Sequence, residues 1–166
     1  RTQLNGGTFS NFTYEADVEI FTNSGWQDAG LTFRTSNPTE GLDGRGYYVG
    51  LYTGYDQVSV YRLDGNSCGE IATAPMNVDP NTTYHIKVIA QGSNIKIFVD
   101  DMNVYKLEVN DSKYTTGSIG LRSYKAHAHF DNVKINSSCN IPTVFDYEDD
   151  FNDDIADGWT VYKGEW

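Results

Sequence analysis

TYEADVEIFTNSGWQDAGLTFR, residues 13–34, decides the fold class. Phe12, Tyr14, Ala16, Val18 and Ile20 alternate with Thr13, Glu15, Asp17 and Glu19. A period of two means a strand with one buried and one wet face, because successive side chains point to opposite sides. Asn23-Ser24-Gly25 is a turn signal, and Trp26 stands in the loop beyond it. Ala29, Leu31 and Phe33 then alternate with Gly30, Thr32 and Arg34, which predicts a second strand.

The same pattern extends outward. Strands are expected at 47–52 and 58–62 as a hairpin around Thr53-Gly54-Tyr55-Asp56, and a short one near Ile71. Further strands are expected at 84–90, at 95–99 after the turn Gln91-Gly92-Ser93-Asn94, at 104–109, and as a closing pair at 117–122 and 126–135. Phe130 and Val133 differ in parity, which predicts a bulge at Asp131-Asn132. Residues 1–10, polar with Gly6-Gly7, read as a loop. No stretch shows helical periodicity, and about ten short strands with regular turns indicate an all-β sandwich or barrel.

Composition agrees. Aromatic residues make up 14% of the chain, with twelve Tyr, and such residues suit a pleated surface. At 166 residues one domain with a real core is expected. No run approaches the ~20 apolar residues of a membrane helix. No stretch reads as a signal peptide, which fits a mature chain or an excised module. The net charge of −11 argues against a nucleic-acid partner, since phosphate binding needs a basic face. Much of that charge lies in residues 143–166, where eight acidic residues face one lysine.

The pieces FTYEADVEI, DAGLTFRTSN, GRGYYVGL, TYHIKVIAQGSNIKIFVDD and GSIGLRSYKAHAHFDNVKI, in this order across residues 9–135, resemble the concanavalin A-like jelly roll. The resemblance is to the branch that contains family 66 carbohydrate-binding modules and related laminin-G-like sugar-binding domains. The resemblance implies a jelly-roll β-sandwich of two antiparallel sheets over residues 1–137, a linker at 138–148, and a final segment at 149–166. In such modules a DDF…DGW…Y.G.W segment comes first; here it comes last, at Asp149–Trp166. That segment either starts a second copy or supplies the missing leading strand, in this molecule or in a neighbour, since a sheet lacking an edge strand exposes backbone donors.

Several groups carry chemistry. Arg34 and Arg122 end the motifs LTFR and IGLR, on the side opposite the apolar residues. A guanidinium offers a rigid fork of donors to hydroxyls or carboxylates, and equally an ion pair with Asp28, Glu15 or Glu19. Trp26, beside Asp28, suits stacking on an apolar sugar face or plugging the core. Tyr48, Tyr52 and Tyr124 are similar candidates. The expected ligand-binding set is Trp26, Asp28, Arg34, Tyr48 and Arg122.

Glu15, Asp17 and Glu19 lie on one side of a strand, ~6.6–7 Å apart in succession. They read as a solvated face, or as an array resembling the ExDxE motif of family 16 glycoside hydrolases, which share the jelly roll. His127 and His129 share a strand face but lack a third ligand nearby in sequence. Asp149 and Asp150, with Asp153, Asp154 and Asp157, suggest a structural Ca²⁺ site, because hard cations take several oxygens. Cys68 and Cys139 allow a disulfide without establishing one. Asn11, Asn81, Asn110 and Asn136 fit the short glycosylation acceptor pattern.

The expectation is a non-catalytic carbohydrate-binding module of a secreted glycoside hydrolase. By resemblance its ligand is the terminal fructose of a levan-type fructan or another terminal furanoside, with the module linked to a catalytic domain or further repeats. Two alternatives stand beside it: a jelly-roll glycoside hydrolase using Glu15 and Glu19, and a structural or adhesin module in a tandem array.

Overall fold

The computed structural model describes residues 2–4, 6–22, 25–37, 44–137, 146–149 and 158–161. In chain order the strands are β1 (Thr2–Leu4), β2 (Phe12–Ile20), β3 (Asp28–Ser36), β4 (Arg45–Tyr52), β5 (Gln57–Asp64), β6 (Cys68–Pro75), β7 (Thr83–Gln91), β8 (Asn94–Val99), β9 (Leu107–Asn110), β10 (Ser118–Tyr124), β11 (Ala128–Asn136), β12 (Asp146–Asp149) and β13 (Trp159–Val161). There is no helix among the described residues. The strands form a five-stranded sheet ordered β10-β3-β4-β5-β6 and a six-stranded sheet ordered β12-β11-β2-β7-β8-β9. Every pairing is antiparallel. This is the expected jelly-roll sandwich.

Alternation builds the core. On β2 the residues Phe12, Tyr14, Ala16, Val18 and Ile20 are buried, while Thr13, Glu15, Asp17 and Glu19 are half-buried on the other face. Across the gap lie Ala29, Leu31 and Phe33 of β3 and Tyr47, Val49 and Leu51 of β4. Each large apolar side chain buried this way contributes roughly 1.5–3 kcal/mol. A polar contact also crosses the sandwich: the Tyr14 hydroxyl donates to the Gly120 carbonyl at 3.1 Å.

Strand β6 runs over eight residues rather than the short piece expected near Ile71. The strand expected at 104–109 is confined to Leu107–Asn110. The bulge read from the parity of Phe130 and Val133 is present: the β11–β2 register shifts between Asp131 and Lys134, and Asn132 has φ of 51°.

Residues 1–10 are not simply a loop. Leu4 is buried in the core, and β1 pairs with β13, Leu4 opposite Trp159. A three-residue strand carries too little alternation to be read among the polar residues around it. The tail therefore packs onto the same molecule at two places: Trp159 is buried in the common core, and β12 extends the six-stranded sheet beside β11. Strand β12 begins inside the stretch expected to be linker, at Asp146.

Candidate functional site

The outer face of the five-stranded sheet holds the most unusual grouping. Registry places three rows of side chains across it. Tyr124, Asp28, Tyr52 and Gln57 form one row, and Arg122, Gly30, Gly50 and Ser59 the next. Gly120, Thr32, Tyr48 and Tyr61 form the third. Side chains opposite the core normally stay wet. Here Asp28 is 3% exposed and Tyr48 1%, although neither points into the sandwich.

The reason is that the face is covered by its own side chains. Gly30 and Gly50 sit opposite each other and project nothing. The Tyr48 ring lies over Gly50: a Cβ there would fall 2.6 Å from the phenol oxygen and 2.7 Å from a ring carbon. Glycine within a strand often marks such a close approach. The phenol then donates a hydrogen bond to Asp28 Oδ1. Arg122 Nη1 donates to the same oxygen at 2.7 Å, and the guanidinium covers the Tyr48 ring at 4.4 Å from its centroid. Tyr124 lies on the other side, 5.4 Å from that guanidinium.

The cluster continues along the sheet. The Tyr52 and Tyr61 rings are 6.1 Å apart, and the Tyr61 hydroxyl donates to Glu70 Oε2 at 3.1 Å. Burial is the largest cause holding the Tyr48 and Tyr52 phenols well above their usual pKa, and the Asp28 charge adds to it. Burial likewise pushes Tyr61 up to about 12, with help from Glu70 and Asp28. These phenols stay protonated at neutral pH and remain hydrogen-bond donors. The face thus offers two carboxylates, one guanidinium and several neutral hydroxyls around aromatic surface. That set matches a polyol, whose hydroxyls both donate and accept, better than it matches an anion.

The sequence-derived set divides. Asp28, Tyr48 and Arg122 come together. Trp26, 62% exposed, stands in the turn just before Asp28, with its ring 4.8 Å from that of Tyr55. Arg34 does not join them. Six residues along β3, at ~3.3 Å each, separate it from Asp28 by about 20 Å. The β3–β4 register shifts between Phe33 and Ser36, and Arg34 has φ of 49°, so its side chain leaves the outer face. It is buried with Nη2 and Nε donating to the Ser10 carbonyl at 2.6 and 3.1 Å, and Nη1 donating to Tyr114 O at 3.3 Å. Burial lowers its pKa. Tyr48 and Tyr52, expected on wetter faces, are buried as well. The sequence does not single out Tyr61 and Glu70; their position opposite each other on β5 and β6 becomes visible only with registry.

On the other sheet, Glu15 and Asp17 are not a free acidic array. His85 on β7 lies between them, with Nε2 3.0 Å from Glu15 Oε2 and Nδ1 2.5 Å from Asp17 Oδ1. Asn132 Nδ2 donates to Asp17 Oδ2 at 2.7 Å. The His127 and His129 rings are 5.5 Å apart and both pack on Phe21. No group of three metal-ligating side chains is found among the described residues. The Ca²⁺ reading falls outside them: Asp149 is described for its backbone only, and Asp150, Asp153, Asp154 and Asp157 not at all. Cys68 is exposed, and Cys139 also lies outside the described residues.

Comparison with known proteins places this arrangement. The model of the 3-keto-alpha-glucoside-1,2-lyase-like domain matches residues 3–136. The chain belongs to that family. Levanase of Bacillus subtilis (strain 168) is 31% identical over 130 residues, which are 78% of this chain and 18% of the levanase. The chain thus spans about a fifth of the relative it matches. The carbohydrate-binding module CBM66 from Bacillus subtilis superposes with a TM-score of 0.73 at 29% identity, over 82% of this chain and 81% of that one. The family 66 resemblance read from the sequence is therefore borne out. A Bacillus licheniformis beta-glucanase shares the fold alone, with a TM-score of 0.55 at 17% identity over 74% of this chain and 56% of that one.

Proposed function

We propose that this family member is a non-catalytic carbohydrate-binding module that holds a larger, extracellular fructan-active glycoside hydrolase on its polymer by gripping terminal fructose. The observation that carries the reading is the Asp28–Tyr48–Arg122 cluster on the outer sheet face. The similarity to CBM66 and to a levanase supports it and directs the choice of sugar. A terminal furanose presents a compact set of hydroxyls. Arg122 donates to them, Glu70 and the Tyr61 oxygen accept from them, Tyr124 offers ring surface, and the buried Asp28 and Tyr48 hold Arg122 in place. Binding of one chain end needs no long cleft, and a preorganised cluster loses little side-chain entropy on binding.

Calorimetric titration of the full chain with fructose tests this, with glucose as control. Measurable binding of fructose, lost in Arg122→Ala and retained in Arg62→Ala, is expected. No heat with fructose and no retention on a levan affinity gel would overturn it. The glycoside hydrolase alternative, using Glu15 and Glu19, draws no support from Glu15, which His85 engages; with Asp17, held by His85 and Asn132, it braces β2, β7 and β11.

A further inference from the structure

We infer that Trp159, in the tail, is a positioning residue for the sugar site: it holds β1 against β10 and so fixes the strand that presents Arg122. The inference rests on the terminal-fructose reading of the Asp28–Tyr48–Arg122 cluster. Two observations carry it. First, β10 is the least supported strand of the site. It is the edge of the five-stranded sheet and ladders with β3 alone among the described strands. Its register with β3 also shifts between Ser118 and Gly120, just before Arg122. A bulge interrupts the ladder and an edge strand has a neighbour on one side only, so the path of β10 depends on other contacts.

Second, β1 supplies those contacts from outside. A Cβ on Gly120 would fall 2.2 Å from the Thr2 carbonyl oxygen and 2.7 Å from Thr32 Oγ1, so the Thr2 backbone lies directly on the outer face of β10. From the core side the Tyr14 hydroxyl donates to the Gly120 carbonyl. Gly120 is thus gripped from both sides, and Arg122 follows it two residues on, ~6.6 Å along the same face. Thr32, opposite Gly120, is wholly buried although it points away from the core.

The hold on Thr2 comes from the tail. Residues 7–9 are tied to the start of β10 by Ser118 Oγ, which donates to the Gly7 carbonyl at 2.8 Å, and by the paired Phe9 and Gly117 backbones. Thr2–Leu4 instead ladder only with β13 among the described strands, Thr2 opposite Val161 and Leu4 opposite Trp159. Trp159 anchors that ribbon in the common core. Without its ring the ribbon is loosened and Gly120 loses its outer brace, while the ladders of both large sheets remain. A binding constellation tolerates a misplacement of only about 0.5 Å, so a small shift of β10 at Arg122 costs affinity.

The test is calorimetry on the full chain with fructose. Trp159→Ala is expected to bind fructose at least about fivefold more weakly than the wild type, at a temperature where both are folded. Trp159→Phe, which keeps a ring in the core, should restore most of that affinity. Leu107→Ala removes a core side chain on β9, at the far edge of the other sheet, and should leave the affinity as it is. Coupling between two sites is reciprocal, so saturating fructose should slow amide hydrogen exchange at Trp159–Val161 of the wild type by a similar factor. Wild-type affinity in folded Trp159→Ala would overturn the positioning role, and so would an equal loss in Leu107→Ala. If Trp159→Ala does not fold, the wild-type exchange decides: amides of β13 unmoved by fructose overturn the role. Each of these results leaves the terminal-fructose reading standing. A wild type that binds no fructose removes both.

Discussion

Arg122 and Asp28 meet across the β10–β3 seam at 2.7 Å, with Asp28 almost wholly buried on a sheet face that points away from the core. A buried ion pair is expensive to desolvate and is weak evidence for stability. Its placement outside the core, with the Tyr48 phenol on the same carboxylate oxygen, is the basis for proposing a site there. Removing the cation takes the guanidinium away from a carboxylate that stays buried. Arg122→Ala should therefore destabilise the fold by about 3 kcal/mol and abolish sugar binding. Urea unfolding reads the first effect and calorimetry the second; stability equal to wild type would refute the burial argument.

Gly50 gives a separation of the two effects. A methyl group there collides with the Tyr48 ring, 2.6–2.8 Å from three of its atoms, but with no backbone in its three nearest contacts. Gly50→Ala should push the ring off its seat and break the hydrogen bond to Asp28. Affinity for fructose is expected to drop by more than about tenfold, a change of ~1.4 kcal/mol, with the fold intact. Gly69→Ala, where a Cβ meets nothing within 4 Å, is the control. A Gly50→Ala protein with full affinity would show that Tyr48 does not orient the site.

Arg34 makes the opposite prediction. Its guanidinium serves the Ser10 and Tyr114 carbonyls and lies 5.9 Å from the Phe12 ring centroid. Arg34→Ala removes the hydrogen bonds that a buried guanidinium makes, and those of a charged group contribute roughly 1.5–3 kcal/mol each. The melting temperature should fall while fructose affinity is kept at temperatures where the protein is folded. A loss of affinity with unchanged stability would restore Arg34 to the site.

The contrast between Arg34 and Arg122 shows what was legible in the sequence. Both follow apolar alternation with the same parity, so both are expected on the outer face. Parity holds for Arg122. It fails for Arg34 because a bulge with positive φ reverses the side chain, and an Arg in that conformation leaves no mark in the sequence. The fold itself was readable from alternation and turns, since these are local. The site was half readable. Trp26, Asp28, Tyr48 and Arg122 stand in or beside strong strand motifs, whereas Tyr61 with Glu70, and His85 with Glu15 and Asp17, depend on which strands become neighbours. The glycines opposite each other in DAGLTF and YYVGLY were the available signal that something lies flat on that face.

His85 carries the pH dependence. Burial alone would lower its pKa, but the hydrogen bonds and charges of Asp17 and Glu15 outweigh it and raise it above the ordinary value. Its backbone nitrogen also donates to Asp100 Oδ1 at 2.9 Å, and Asn132 holds Asp17 from β11. A histidine with a raised native pKa binds protons more tightly when folded. Its contribution is complete below the unfolded value of about 6.5 and is lost as pH rises through the native value. Stability should accordingly decline from pH ~6.5 upward through the native pKa of His85. His85→Gln keeps a donor between the carboxylates but cannot titrate, so its stability should be flatter over that interval. Urea midpoints of both proteins between pH ~5.5 and ~8.5 make the comparison. Parallel curves for the two would assign the pH dependence to other groups.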